Sequence, residues 1–205
     1  MENLKVLVIH DTLSPIDPIM ITLQEIYGKD NVILESISEK GIEYIYQNLT
    51  SKLIVLLDFD LGTGHPNAPE VFQKIREKTS LVYVIIWTAK LITDISREDL
   101  ISFINNDALA LVQSTESTET IVNFVKKAEH QLETRVDCIL EEWISKREKD
   151  ELEKPYLTAK SGKVYTLAEL MTEIRLETEI GMQMKKSILL LAIELLTSNQ
   201  KQIDD

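Results

Sequence analysis

Cysteine is nearly absent: Cys138 is the single one in 205 residues. The chain therefore forms no internal disulfide and reads as a protein of a reducing compartment, which points to the cytoplasm. Basic charge is short as well. Lys and Arg number 22 against 34 Asp and Glu, for a net charge of −12. Residues 1–133 hold 11 basic against 20 acidic residues, and residues 134–205 hold 11 against 14. Neither part has the positive surplus that neutralises phosphates, so nucleic acid is not an expected partner. Long apolar runs are missing at the start, where MENLKVLVIHD offers about five apolar residues before His10 and Asp11. That is too short for a signal peptide or a membrane span, and no membrane association is expected. There is no internal repeat and no low-complexity tract. With 44% hydrophobic and 27% charged residues the composition is that of a folded protein, not of a disordered one. At this length it can bury one domain-sized core plus a small helical appendage.

What is present is a regular alternation. Four β-branched apolar runs, Lys5–Ile9, Val32–Ser36, Leu53–Leu57 and Leu81–Trp87, and a weaker fifth, Ala108–Val112, read as strands. Runs such as LIVLL and LVYVIIW carry no polar alternation, the pattern of strands covered on both faces. Helical segments fall between and after them: Ile16–Tyr27, Glu39–Leu49, Ala68–Glu77, Ser96–Ile104 and Thr118–Leu132. In the last, Ile121, Val122, Val125 and Ala128 share one face, with Ser117 or Thr118 as N-cap. Five βα units predict an α/β fold, a doubly wound five-stranded parallel sheet with helices on both sides. The domain so defined spans 1–133.

Past Glu133 the pattern becomes helical, and 134–205 is expected to be a small all-helical interaction or dimerisation region. Val136, Ile139, Leu140, Trp143 and Ile144 form an apolar stripe on a helix of about 134–152. Residues 153–165, with Pro155 and Gly162, read as a connector. Thr166 with Glu169 three residues on has capping-box spacing. Gly181 is expected to break the run before a final helix of about Met182–Ser198, which carries ILLLAIELL.

The chemistry-bearing residues fall where strands should end, the edge at which doubly wound sheets build sites. VLVIHD puts His10 and Asp11 after strand one, LIVLLDFDLG puts Asp58 after strand three, VIIWTA puts Thr88 and Ala89 after strand four, and ALALVQSTES puts Gln113 after strand five. This set resembles the receiver domains of bacterial response regulators over about 130 residues. The resemblance implies Asp58 as acceptor of a phosphoryl group from a histidine kinase, with Thr88 and Ala89 sensing it. It also implies Mg²⁺ held by Asp11, Asp58 and the Asp60 carbonyl, because an incoming phosphoryl needs its charge neutralised.

Two positions depart from that pattern. His10 stands where an acidic residue is expected, which removes a hard oxygen ligand and lowers the expected Mg²⁺ affinity. Gln113 stands where a lysine is expected, followed by Ser114 in place of proline, and the aromatic switch position is Ala110. His10 itself reads as a partly buried polar neighbour of the pocket, since no second His or Cys stands at ligand spacing. Lys90 is close enough in sequence to reach the pocket. The resemblance thus leaves two versions: a receiver phosphorylated on Asp58, or, preferred, a pseudo-receiver whose fold serves as a docking surface. Neither version is expected to turn over a substrate, and a histidine kinase or another signalling protein is the expected partner.

Three alternatives fit less well. DFDLGTG resembles the motif of haloacid-dehalogenase-like phosphatases, with Asp58 and Asp60 as nucleophile and acid/base, but Thr63 lies one residue too far. A divergent DNA-binding tail, as in transcriptional response regulators, is the second: the tail has two helices and a glycine, yet its second helix is apolar where a recognition helix is basic and polar. Its apolar load instead suggests packing on a neighbouring helix or on a second subunit. Gly62-Thr63-Gly64 as a nucleotide loop lacks a third glycine and follows strand three, not strand one. Cys138 reads as a structural residue, and His65 and His130 as surface residues.

Overall fold

The computed structural model describes residues 4–106, 108, 110–159 and 162–198. Leu109 in the fifth apolar run, and Lys160 and Ser161 in the connector, lie outside the described residues. The chain divides into two compact units, 1–134 and 135–205.

The N-terminal unit is a five-stranded parallel sheet of order β2-β1-β3-β4-β5, built from β1 (Leu4–Ile9), β2 (Val32–Glu35), β3 (Lys52–Asp58), β4 (Tyr83–Thr88) and β5 (Ala110–Gln113). The intervening helices are α1 (Pro18–Tyr27), α2 (Ser38–Gln47), α3 (Ala68–Arg76), α4 (Arg97–Asn105) and α5 (Thr118–Thr134). Parallel strands must be joined by crossovers, and the crossover helices cover both faces. Leu7, Ile9, Val55, Leu57, Val84 and Ile86 pack with Ile45, Val71, Phe72, Ile75 and Phe103 of α2, α3 and α4. Side chains alternate along each strand, which leaves Val6, Val8, Ile54 and Leu56 for α1 and α5. The expected α5 face, Ile121, Val122, Val125 and Ala128, is buried, and Ser117 caps that helix by accepting the Thr120 N–H at 3.1 Å.

One glycine helps to fix the end of β1. A Cβ on Gly41 of α2 would stand 2.5 Å from Ile9 Cδ1, so a bare backbone lets α2 press on the last residue of β1. That contact seats the residue before His10.

The C-terminal unit holds α6 (Val136–Ser145), α7 (Lys149–Leu152), β6 (Pro155–Thr158), β7 (Val164–Thr166), α8 (Leu167–Arg175) and α9 (Glu179–Ser198). It departs from the sequence-based expectation in three places. The helix read over 134–152 is interrupted: α6 ends at Ser145 and a separate single turn, α7, comes after it. The connector 153–165 contains an antiparallel hairpin of β6 and β7, closed by the Ala159 N–H on the Lys163 carbonyl at 2.8 Å and turned at Gly162, φ +85°. YLT and VYT are too short to show strand periodicity. Gly181 does not break a helix but lies inside α9. The break is at Glu177, φ +50°, and Thr178 Oγ1 then accepts the Gly181 N–H at 3.2 Å. The capping box is formed as read, with the Thr166 N–H on Glu169 Oε2 at 2.8 Å and the Glu169 N–H on Thr166 Oγ1 at 3.2 Å.

The inward face of α6 also differs from the apolar stripe. Ile139 and Trp143 are exposed, whereas Asp137, Cys138, Glu141 and Ile144 are buried. The reason is electrostatic. Arg135 Nε and Lys185 Nζ donate to Asp137 at 2.9 and 3.3 Å, and Arg175 of α8 pairs with Glu141. Buried carboxylates persist only when so paired. Burial beside these carboxylates pushes the Cys138 thiol up to about 12, the behaviour of an inert structural cysteine.

Candidate functional site

β1 and β3 are neighbours, and the chain leaves them in opposite directions, since β2 lies beyond β1 and β4 beyond β3. Sheets of this order open a crevice at the carboxyl ends of such strands. The register delivers the residues there. Ile9 pairs with Leu57, Asp58 with Trp87, and Thr88 with Gln113, so His10, Asp58, Thr88 and Gln113 come to one edge. Asp58, Thr88 and Gln113 are the last residues of their strands.

His10 is the centre of the cluster. Its Nδ1 lies 3.5 Å from Asp58 Oδ2 and 3.6 Å from Asp11 Oδ1, and it accepts the Thr12 N–H at 3.3 Å. Trp87 stacks edge-on against the imidazole, ring centroids 5.1 Å apart, and its buried indole N–H has no partner among the described residues. Asp11 is the exposed member, while His10 and Asp58 are largely covered. Burial, the largest influence, pushes the Asp58 carboxyl above the ordinary carboxylate range. Asp11 acts in the same sense, and His10 with the Asp60 and Phe59 amides acts against it. Gly62, φ +81°, passes beside Asp11; a Cβ there would stand 3.4 Å from Asp11 Oδ2.

The other expected positions arrange themselves around this centre. Thr88 is fully buried and its Oγ1 accepts the Lys90 N–H at 3.0 Å, while Ala89 is exposed. Lys90 turns its ammonium to Asp60 Oδ1 at 2.8 Å, over the Phe59 ring. Asp60 therefore keeps its carboxylate outside the His10–Asp11–Asp58 group, and Thr63 is an exposed loop residue. Gln113 is half-buried beside Thr88. His65 is on the surface, paired with Glu39 at 3.0 Å. Sequence reasoning missed Trp87 as a pocket residue. The alternation along LVYVIIWT, which puts Trp87 two positions from Ile85 and opposite Asp58 in the ladder, could have revealed it.

No protein-family model matches the chain, and no curated protein does either. Solved structures do. A CheY-like response-regulator receiver domain protein from Methanospirillum hungatei superposes with a TM-score of 0.53 at 18% identity, covering 65% of this chain and all of that one. The N-terminal unit has the receiver fold. The receiver domain of NtrX from Brucella abortus matches similarly, with a TM-score of 0.51 at 16% identity over 64% of this chain and 100% of its own. So does the N-terminal domain of an uncharacterized protein from Wolinella succinogenes, with a TM-score of 0.52 at 14% identity over 64% and 99%. At these identities the likeness is one of fold.

Receiver domains imply Mg²⁺, and the donor set tests that implication. Mg²⁺ takes oxygen ligands at about 2.0–2.1 Å in a near-ideal octahedron, whose adjacent ligands stand roughly 3 Å apart. Here a nitrogen occupies the centre and the two edges are 3.5 and 3.6 Å. The group fits Mg²⁺ poorly. No described helix is long and apolar enough to cross a membrane.

Proposed function

We propose that the chain is a cytoplasmic signalling protein of the pseudo-receiver type. Residues 1–133 dock a histidine kinase or other signalling protein, 134–205 associate with a second copy, and no phosphoryl switch operates at Asp58. The supporting observation is the charge around Asp58. A carboxylate that accepts a phosphoryl group needs cations to hold the transferred dianion. In this pocket the partner of Asp58 is His10, the strand-five position is the neutral Gln113, and Lys90 is engaged by Asp60.

Incubation of the full chain with Mg²⁺ and acetyl phosphate, followed by intact-mass measurement, tests this. No adduct is expected. A single phosphoryl adduct that disappears in Asp58→Asn would overturn it and restore the phosphorylated version, in which Asp58 accepts and Thr88 senses.

Self-association is supported by α9. Its face packed within the unit, Gly181, Met184, Lys185 and Ile188, continues at helical spacing into Leu191 and Leu195, which are 56% exposed each. Leu189, Leu190, Ile193 and Leu196 widen that surface. A helix end apolar over so broad an arc is one that another helix covers.

A further inference from the structure

Three atoms that can donate a lone pair converge at the edge of the sheet: His10 Nδ1, an Asp11 carboxylate oxygen and an Asp58 carboxylate oxygen, all within 4.8 Å of one another. Two carboxylates so close repel each other unless something positive lies between them. Nδ1 is the acceptor nitrogen of the ring, holding the Thr12 N–H at a long 3.3 Å, a contact weak enough for a metal ion to displace.

The spacing and the donor types point to the class of cation that fits between them. Zinc binds His nitrogen and carboxylate oxygen at about 2.0–2.2 Å in a tetrahedron, whose edges are then roughly 3.3–3.6 Å. The two edges at His10 lie in that interval, and the third, between the Asp11 and Asp58 oxygens, is within 4.8 Å. An imidazole in the set favours ions of the zinc, nickel and cobalt class over Mg²⁺, which prefers oxygen alone. The exposed side of Asp11, flanked by Gly62 with no side chain, leaves room for a fourth ligand from solvent.

We propose that His10, Asp11 and Asp58 form a three-ligand site for Zn²⁺ or a chemically similar divalent ion, with an open fourth position, in preference to Mg²⁺. The inference deepens the pseudo-receiver reading and rests on it: the substitution that weakens the Mg²⁺ site is the one that builds this one.

Calorimetric titration of the full chain with Zn²⁺ alone and with Mg²⁺ alone, without phosphodonor, tests the site. One Zn²⁺ is expected to bind at least about 100-fold more tightly than Mg²⁺. Asp11→Asn alters an exposed residue and leaves the core intact, and is expected to weaken Zn²⁺ binding about 10-fold or more. His10→Asp is expected to invert the preference, gaining Mg²⁺ while losing Zn²⁺. Zn²⁺ binding unchanged in both variants would place the ion elsewhere, as at His65 and Glu39, and would overturn the proposal. So would equal affinity for the two ions. A phosphoryl adduct on Asp58 with Mg²⁺ would defeat the pseudo-receiver reading by a separate measurement, so the two failures are distinguishable.

Discussion

Asp58 carries a charge that its surroundings disfavour. Its carboxyl is pushed up by burial and by Asp11, so the folded protein holds a proton there more tightly than the unfolded chain does. Such a group lowers stability as pH rises through the interval between its unfolded value, about 3.9, and its raised folded value, and the cost is complete above that interval. Asparagine has the shape of the protonated form without the charge. Asp58→Asn is therefore expected to be more stable than the parent at pH 7, with the advantage shrinking as pH is lowered toward about 4. Urea denaturation of both proteins across that range measures it, and a variant less stable than the parent at pH 7 would contradict the account. The pocket was legible residue by residue because chain register alone brings His10, Asp58, Thr88 and Gln113 to one edge. Two things were not. The convergence of His10 on both carboxylates depends on side-chain direction, and the diversion of Lys90 to Asp60 is a competition between partners thirty residues apart.

Elements differ in how openly their sequences declare them. Buried parallel strands do so through unbroken apolar runs, and every one of the five is found where such a run stands, with ends shifted by up to two residues. In the C-terminal unit the signals mislead, and Gly181 shows why. Within a helix, glycine is replaced by alanine with a gain of up to about 1 kcal/mol when only backbone freedom is at stake. At this position the added Cβ would collide with the Glu173 carbonyl and come within 2.9 Å of the Ile174 nitrogen, both backbone atoms of α8. Gly181→Ala is thus expected to destabilise the C-terminal unit by about 1–3 kcal/mol, the ordinary cost of overpacking. The sign of the change in a denaturation experiment decides between a helix breaker and a helix contact. The buried Asp137 and Glu141 were equally hidden. A charged residue in an amphipathic helix reads as solvated until Arg135, Arg175 and Lys185 are seen to meet it.

For the molecule as a whole, the consequential surface is the second half of α9. Leu189, Leu190, Leu191, Ile193, Leu195 and Leu196 are each between 43% and 71% exposed. At on the order of 100 Å² apiece they offer roughly 600 Å² per copy, spread over more of the helix than one partner covers, so a symmetric pair buries less than about 1,200 Å², the size of a weak, reversible interface. Sedimentation of the full chain over a range of concentrations is expected to show reversible self-association, weakened at least about tenfold by Leu191→Glu with Leu195→Glu, which removes the apolar seam and adds like charges. A chain that stays monomeric at every concentration would leave this surface without its proposed occupant.

What the amino-acid sequence determined by itself was the order of five βα units, the parallel sheet they make and the set of residues at its edge. Those arise from periodicity and register, which are properties of the chain. Only the tertiary structure decided what that edge holds. The charge network of α6, the contact made by Gly181 and the lone pairs gathered around His10 each arise from side-chain placement that periodicity does not encode. It is that last arrangement which turns the edge from an eroded Mg²⁺ pocket into a candidate site for a different ion.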